Sequence, residues 1–313
     1  MPMPSAMALL SHRQAWSFAV VLVVLCLFSG GSANDVPGTK YRTGASEVRV
    51  TFFATDENNH LVEPLGKDDF AVVDGDTVIR DFRSLTRSDE TALDVVAMVD
   101  SSGSVATRFP AVVNDVLQLV SQKNMTSGDS ISVVSFSGLR PTLLCARDCG
   151  SGAAGQRLLA VKAAGPTPLF DSLAYAADLL ASRRAPGVRQ VLILFSDGND
   201  TISMASARDA LKAVLGSGAL LYAVDLNKSG DASTGSALLE HMAEATGGRS
   251  FYSSENGASV LQAALADLRA SYVVTYRLPS RVVGFHSLRI LPKHNLNLRF
   301  HCRSGYYYDE SVR

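Results

Sequence analysis

Four near-continuous apolar runs, separated by helical patterns, constrain the fold of this chain more than any other feature. The runs read LDVVAMVD, SISVVSF, QVLILFSD and ALLYAVDL. Segments with apolar residues at helical spacing lie between them, such as FPAVVNDVLQLVSQ and LFDSLAYAADLLASRR. Strands that are apolar on both sides and alternate with helices are typical of a mainly parallel sheet covered by helices on both faces. The sequence therefore predicts a doubly wound α/β domain over residues 92–268.

The segments on either side of this domain have a different rhythm. Residues 41–90 and 271–308 alternate apolar and polar side chains, with turn residues between the runs, which predicts short antiparallel strands. Each segment holds about 40 residues, too few to bury a core alone. We expect the N- and C-terminal strands to form one smaller β-sandwich-like domain into which the α/β domain is inserted. The alternative is two independent additions to the central domain.

The charge of the chain argues against one class of partner. Its 30 acidic and 29 basic residues nearly cancel. Proteins that bind phosphate backbones usually carry an excess of positive charge over at least one face. We therefore expect no nucleic-acid partner.

The N-terminal residues predict export. His12 and Arg13 precede an apolar run from Ala15 to Phe28, and the small-residue stretch SGGSA ends at Ala33. This order is typical of a cleaved signal peptide, here residues 1–33. The run is shorter than the roughly 20 residues that span a bilayer, so an uncleaved membrane anchor is the weaker alternative. The expected location is secreted, periplasmic or at the cell surface.

Export to an oxidising compartment permits disulfides. Outside the predicted signal peptide the chain has Cys145, Cys149 and Cys302. Cys145 and Cys149 are close enough in a glycine-rich loop to pair, which would leave Cys302 free. The alternative is that no disulfide forms.

Polar side chains follow the predicted strands at the points where ligands bind in open α/β sheets. Asp100, Ser102 and Ser104 end the first apolar run, and Asp197 ends a later one. Thr167 lies between them, just before a predicted helix. Aspartate, serine and threonine oxygens suit Mg²⁺, Mn²⁺ or Ca²⁺. Each piece alone is also explained by a helix cap or a turn.

The pieces occur together and in one order: D-x-S-x-S at 100–104, G-x-T-P-L-x-D-x-L at 165–173, and S-D-G at 196–198. This arrangement resembles the von Willebrand factor type A family and its metal-ion-dependent adhesion site (MIDAS). The resemblance implies a metal site of Asp100, Ser102, Ser104, Thr167 and Asp197. The three hydroxyls would be direct ligands and the two carboxylates would support them.

The same resemblance implies a non-enzymatic function. The cation is most often Mg²⁺, with Mn²⁺ and Ca²⁺ as alternatives. Neutral hydroxyls leave most of its charge uncompensated, so an open position attracts a carboxylate from outside. The expected partner is a protein that offers an Asp or Glu. An alternative is a structural cation that stabilises the loops and engages no partner.

The flanking segments carry a looser resemblance. KDDFAVVDGDTVIRDF before the α/β domain, Leu268, Arg269 and Tyr272 at its end, and Gly305-Tyr306 near the C-terminus look like exported bacterial VWFA-related acidobacterial domain proteins. This supports a β domain built from both flanks and names no partner.

An enzymatic alternative rests on Asp74 and Asp76, which match the start of haloacid-dehalogenase-type phosphatases, with the first Asp as nucleophile. That family needs a loop and a helix next, whereas FAVVDGDTVIRDF continues as a strand. A hairpin with Gly75 and Asp76 in its turn explains the same residues. Three C-terminal histidines raise the idea of a zinc site, but surface histidines are the simpler interpretation of His286, His294 and His301.

The loop from Gly138 to Gln156 is expected to lie beside the metal site. If Cys145 and Cys149 are bridged, reducing the bridge should then weaken partner binding more than metal binding.

Overall fold

A computed structural model gives the architecture of the chain and describes residues 47–87, 91–121, 128–147, 149, 151–228, 233–253 and 257–308. The predicted signal peptide, residues 1–33, lies outside the described residues.

The apolar runs form the centre of a six-stranded sheet with the order β10-β9-β8-β5-β6-β7. Its strands are β5 (Ala92–Asp100), β6 (Ser130–Ser137), β7 (Arg140–Cys145), β8 (Val188–Ser196), β9 (Leu220–Asp225) and β10 (Ser250–Tyr252). Every neighbouring pair is parallel except β6 and β7. Eight of the nine residues of β5 are buried, because helices cover both faces. The predicted mainly parallel sheet is confirmed.

In the part of the chain that the structure describes, six helices cover this sheet, three on each face. They are α1 (Phe109–Ser121), α2 (Ser151–Leu159), α3 (Leu169–Ala181), α4 (Ala207–Ser217), α5 (Thr234–Thr246) and α6 (Gly257–Arg269). Side chains of α1, α2 and α6 share one apolar core with the sheet, and those of α3, α4 and α5 share the other. Within the described part of the chain, no helix has the length and apolar character that crossing a membrane requires.

Strands from before and after the α/β region form two further sheets, both antiparallel. One has the order β13-β1-β11-β4 and the other β14-β12-β2-β3. Their bounds are β1 (Glu47–Thr55), β2 (Phe70–Asp74), β3 (Thr77–Ile79), β4 (Ser84–Arg87), β11 (Tyr272–Arg277), β12 (Gly284–Pro292), β13 (Arg299–Cys302) and β14 (Gly305–Tyr308). β1 pairs with β11 and β13, and β12 pairs with β2, so neither flank could form its sheets alone.

The two antiparallel sheets bury one apolar core between them. It includes Phe52 and Tyr276 from one sheet and Phe70, Ile290 and Tyr306 from the other. The predicted sandwich of N- and C-terminal strands is therefore confirmed, and the alternative of two independent additions is wrong. The domain limits of 41–90, 92–268 and 271–308 stay predictions.

The hairpin interpretation of Asp74 and Asp76 is also confirmed. β2 and β3 pair with Asp74 opposite Thr77, and Gly75 takes a positive φ of 57° in the turn. Asp74 is 2% exposed and accepts hydrogen bonds from the hydroxyls of Tyr276 (2.8 Å) and Tyr306 (2.9 Å). A nucleophile needs access to its substrate, and this carboxylate is closed inside the sandwich.

Arg249 joins the two parts of the molecule. Its guanidinium donates to both oxygens of buried Asp267, at 2.7 and 2.6 Å, and lies over the ring of Phe53 from β1. The N–H of Ser304 also donates to the carbonyl of Ala245 in α5, at 2.8 Å. The sandwich therefore packs against the ends of α5 and α6.

The Cys145–Cys149 disulfide is present, and Cys302 is a free thiol. The expectation that this bridge lies beside the metal site is wrong, because β7 runs antiparallel to β6. Cys145 lies opposite Val133, whereas Arg140 lies opposite Ser137 at the end of β6. Only the Gly138 end of the loop reaches the edge of the sheet where the predicted ligands lie.

The interpretation of the three histidines as surface residues is correct for His294 alone. His286 is 9% exposed, and its Nε2 lies 2.7 Å from the carbonyl of Val282. His301 stacks on Phe53, with ring centroids 4.6 Å apart, and its Nε2 lies 3.0 Å from Thr55 Oγ1. Both rings therefore pack in or beside the sandwich. Each has its own neighbours, and the two do not form a common metal site.

Candidate metal site at the edge of the central sheet

The first candidate segment forms a tight turn at the end of β5. Asp100 is 0% exposed, and each of its carboxylate oxygens accepts one hydrogen bond. Oδ1 accepts from the N–H of Ser102 at 2.9 Å, and Oδ2 accepts from the hydroxyl of Ser196 at 2.7 Å. The carboxylate thus fixes the turn that carries Ser102, and it ties β5 to the end of β8.

Ser102 and Ser104 place their hydroxyl oxygens 3.1 Å apart. Neighbouring ligands of an octahedral cation with metal–oxygen bonds of 2.0–2.1 Å are separated by about 3 Å. The oxygen donors and their spacing therefore suit a hard divalent cation.

Asp197 and Gly198 follow β8 at the same edge. Asp197 is 7% exposed, and its Oδ1 accepts a hydrogen bond from the N–H of Asn199 at 3.1 Å. Gly198 has a φ of 77°, and a Cβ there would lie 2.3 Å from the carbonyl oxygen of Gly235 in α5. Only glycine permits this close approach, which holds the Asp197 turn against the start of α5.

Thr167 lies in the loop before α3 and is 2% exposed. Its N–H donates to Thr201 Oγ1 at 2.7 Å, and its carbonyl accepts from the N–H of Thr201 at 2.9 Å. On the other side of the loop, the carbonyl of Gly165 accepts from the N–H of Gly103 at 2.9 Å. Backbone hydrogen bonds thus fasten the Thr167 segment to the D-x-S-x-S turn and to the loop after β8.

Burial raises the pKa of Asp100, and the nearby charge of Asp197 acts in the same direction. Hydrogen bonds from Ser102 and Ser196 oppose this shift. Two carboxylates at one buried edge favour a nearby positive charge, because it stabilises their ionised forms. The electrostatics of this edge therefore also fit a cation.

A pocket of about 230 Å³ opens beside Ser104 and Asp197 on the α1 side of the sheet. It is lined by those two residues and by Val105, Arg108, Leu226, Asn227 and Lys228. Arg108 donates to the carbonyl of Leu226 and stays partly exposed, and Lys228 is exposed. We call this the basic pocket.

Three residues that support this edge were not among the predicted ligands. The hydroxyl of Ser196 donates a hydrogen bond to Asp100, and the hydroxyl of Thr201 accepts one from the N–H of Thr167. Asn227 Nδ2 donates to the carbonyl of Asp197 at 2.8 Å. Ser101 points away from the candidate ligands, with its Oγ 2.8 Å from Ser135 Oγ. The position of Ser196 in the S-D-G motif could have indicated its contact with Asp100. Val99 pairs with Phe195, and the next residues on the two strands are Asp100 and Ser196.

The described residues contain no cluster of three or more His, Cys, Asp and Glu side chains arranged for a metal. The candidate site differs from such clusters because three of its five members are hydroxyls. Asp100, Ser102, Ser104 and Asp197 lie together at the ends of β5 and β8, and Thr167 lies on the loop fastened to them. Their role as metal ligands stays a prediction.

Comparison with known proteins identifies this region. The sequence model of the von Willebrand factor type A domain matches residues 94–266, which is more than half of the chain. No curated protein matches the sequence significantly.

Solved structures show weaker overall similarity. Proximal thread matrix protein 1 from the mussel byssus has a TM-score of 0.47 and 16% identity, covering 59% of this chain and 50% of its own. Another structure of that protein is described as having a zinc-occupied MIDAS motif, with 15% identity and a TM-score of 0.47. An aerotolerance-related membrane protein from Bacteroides fragilis has a TM-score of 0.44 and 18% identity, covering 56% of this chain and 98% of its own. The chain spans about half the length of the mussel protein.

Proposed function

Because the chain belongs to the von Willebrand factor type A domain family, we propose that it is a non-enzymatic protein that binds a protein partner through a divalent cation. Domains of this family are generally interaction modules. The partner would offer an Asp or Glu side chain that completes the coordination of the cation. The match at residues 94–266 covers every residue of the candidate site.

One observation carries the proposal. The hydroxyls of Ser102 and Ser104 lie 3.1 Å apart, in a turn fixed by the buried carboxylate of Asp100. These two hydroxyls already hydrogen-bond each other, so they need little movement to become adjacent ligands of one cation, whereas a helix cap needs only one hydroxyl.

In this proposal Ser102, Ser104 and Thr167 hold the cation directly, and Asp100 and Asp197 support it. The bound cation supplies a coordination position for an oxygen of the partner. Asp100 also positions Ser102 by accepting a hydrogen bond from its N–H. The proposed ion is Mg²⁺, with Mn²⁺ and Ca²⁺ as alternatives, because oxygen ligands suit all three.

The surroundings of the site favour partner binding over a purely structural cation. A structural cation is usually enclosed by protein ligands, whereas Ser104 is exposed and lines the open basic pocket together with Asp197. Arg108 and Lys228 in that pocket add positive charge beside the proposed cation, which attracts an acidic partner.

Calorimetric titration of the full chain with MgCl₂, MnCl₂ and CaCl₂ tests the cation site. Ser102→Ala should weaken Mg²⁺ binding at least tenfold, since it removes a direct ligand. Ser101→Ala is the matched control, because Ser101 is an equally buried serine whose hydroxyl bonds Ser135 instead. Equal affinity in the two variants, or no heat in the wild type, would reject the proposed site.

We also propose that the protein acts outside the cytoplasm. The basic flank, apolar run and small residues before Asn34 are the support for this part. Cell fractionation followed by N-terminal sequencing tests it. Protein recovered only from the cytoplasm with residues 1–33 intact would contradict export.

A further inference from the structure

Two exposed apolar side chains, Leu139 and Met204, lie in loops that are hydrogen-bonded to the Thr167 segment and to the start of α3. Leu139 is 78% exposed and Met204 is 97% exposed, while neighbouring Ile202 is 39% exposed. Single exposed apolar residues are common on protein surfaces. These differ because the backbone that carries them is fastened to the segment of Thr167. We call Leu139, Ile202 and Met204 the apolar shoulder.

The turn of Leu139 is held by the Thr167 segment. The N–H of Gly138 donates to the carbonyl of Pro166 at 2.8 Å. Leu139 therefore follows a residue, Gly138, that is hydrogen-bonded to Pro166, the neighbour of Thr167.

The loop of Met204 is held more extensively. Asp171, in the first turn of α3, accepts from the N–H of Met204 at 3.0 Å and from the N–H of Ala205 at 2.8 Å. Ser203 Oγ in turn accepts from the N–H groups of Phe170 and Asp171, at 3.0 and 3.1 Å. The loop thus caps α3, and α3 fixes the loop.

These hydrogen bonds hold the backbone of the loop in place while the apolar side chain of Met204 stays exposed. Ordering an interface side chain on a mobile loop costs free energy on binding, whereas a pre-organised loop avoids most of that cost. An exposed methionine on such a loop gains little in the free protein, because nothing described packs against it. Its physical use is to be covered by something else.

The two sides of the candidate metal site therefore differ in chemistry. The α1 side has the basic pocket with Arg108 and Lys228, and the α3 side has the apolar shoulder. Resting on the function proposed above, we propose that the partner is a protein segment in which the acidic residue is flanked by apolar side chains. The acid meets the cation and the positive charge of the basic pocket, and an apolar neighbour covers Leu139 and Met204.

Selection from a displayed library of nine-residue cyclic peptides tests this partner chemistry. The immobilised full chain is screened in MgCl₂ and bound peptides are released with EDTA. Enriched sequences should have an Asp or Glu with Leu, Ile, Met or Phe within two positions. Enrichment of acids flanked by polar residues would overturn the apolar shoulder and keep the metal site. An absence of EDTA-released acidic sequences would overturn the proposed function and this inference with it.

Variants then locate the contact, with the most enriched peptide as the probe. Leu139→Ser and Met204→Ser should each weaken its binding about five- to tenfold, the loss expected for an apolar residue buried near the centre of a contact. Leu296→Ser is the matched control, since Leu296 is 77% exposed in the sandwich. All three should bind Mg²⁺ like the wild type. Equal peptide affinity in the Met204 and Leu296 variants would overturn the proposal.

Discussion

Two buried aspartates, Asp100 at the edge of the central sheet and Asp74 inside the sandwich, have similar local structure but differ in access to a ligand. Both end a strand, and both accept two short hydrogen bonds. The donors to Asp100 are a turn N–H and a serine beside an open pocket. The donors to Asp74 are two tyrosines that close over it.

The difference follows from the type of sheet. In the parallel sheet the strands end in loops that converge at one edge, so a buried carboxylate there can still act on a ligand. In the antiparallel sandwich, β12 and β14 continue across the end of β2 and leave no such opening. The same residue type is therefore a candidate for function in one region and a structural group in the other.

Asp74→Ala should have the largest effect on stability. It leaves the buried hydroxyls of Tyr276 and Tyr306 without their acceptor, which costs about 3 kcal/mol in free energy of unfolding. Urea unfolding measures this loss, and we expect the same value in MgCl₂ and in EDTA. Asp76→Ala, at the exposed turn residue beside it, is the control and should change stability by less than about 0.5 kcal/mol. A loss that depends on Mg²⁺ would break the contrast between the two aspartates.

Asp100→Ala should remove the stabilisation that Mg²⁺ provides. At a free Mg²⁺ concentration 100 times its dissociation constant, the wild type should gain about 2.7 kcal/mol, because only the folded chain holds the complete site. Thermal unfolding with MgCl₂ and with EDTA measures the gain. If the variant keeps the full increment, the cation lies elsewhere in the molecule.

His301 should make the sandwich sensitive to acid. Burial, together with the positive charges of Arg249 and Arg299, lowers the pKa of His301 to about 4 from 6.5. Between these values the unfolded chain binds a proton that the folded chain does not, so this stability is present above pH 6.5 and is lost as the pH falls towards 4. The loss should reach about 2 kcal/mol.

The comparison of the wild type with His301→Gln isolates this effect. Asp267 contributes with the opposite sign, because burial raises its pKa to about 6 despite the opposing charge of Arg249, but it does so equally in both proteins. Unfolding free energies at pH 7.5 and pH 4.5 should differ more in the wild type. Identical pH dependence in the two proteins would show that His301 titrates normally.

Reduction of the Cys145–Cys149 bridge should have the smallest effect on binding. Cys145 pairs with Val133 in the middle of β6, away from the strand ends that carry the candidate metal site, so affinity for Mg²⁺ should change less than twofold. Stability should fall by about 2 kcal/mol, as expected for closing a very short loop. Titration calorimetry measures the Mg²⁺ affinity and scanning calorimetry the stability, each for the oxidised protein and for the protein reduced with a phosphine. A large loss of Mg²⁺ affinity would mean that a change at the bridge is transmitted along β6 and β7 to the candidate metal site.

Sequence patterns were sufficient for the central sheet and for the clustering of Asp100 and Asp197, because parallel strands buried on both faces are apolar throughout and end at one edge. They were insufficient to predict the direction of β7, the last strand at one side of the sheet. Nothing in RPTLLC indicates that β7 turns back, and this reversal moved the disulfide away from the site. His301 was also misjudged, since Phe53, which covers it, lies 248 positions earlier in the chain.

The exposed apolar shoulder has no pattern in the sequence either. Met204 stands in a polar loop, and only the hydrogen bonds to Asp171 show that this loop is ordered.

The pairing of β4 with β11 has a mechanical consequence. The α/β domain leaves the sandwich after β4 and returns at β11, and these strands are neighbours with Arg87 opposite Tyr272. Tension on the α/β domain along the strands would pull β4 and β11 from the same end, so the two strands would move together and not slide past each other. The load would then fall on the hydrogen bonds between β11 and β1, which pair over six residues of each strand and would share it.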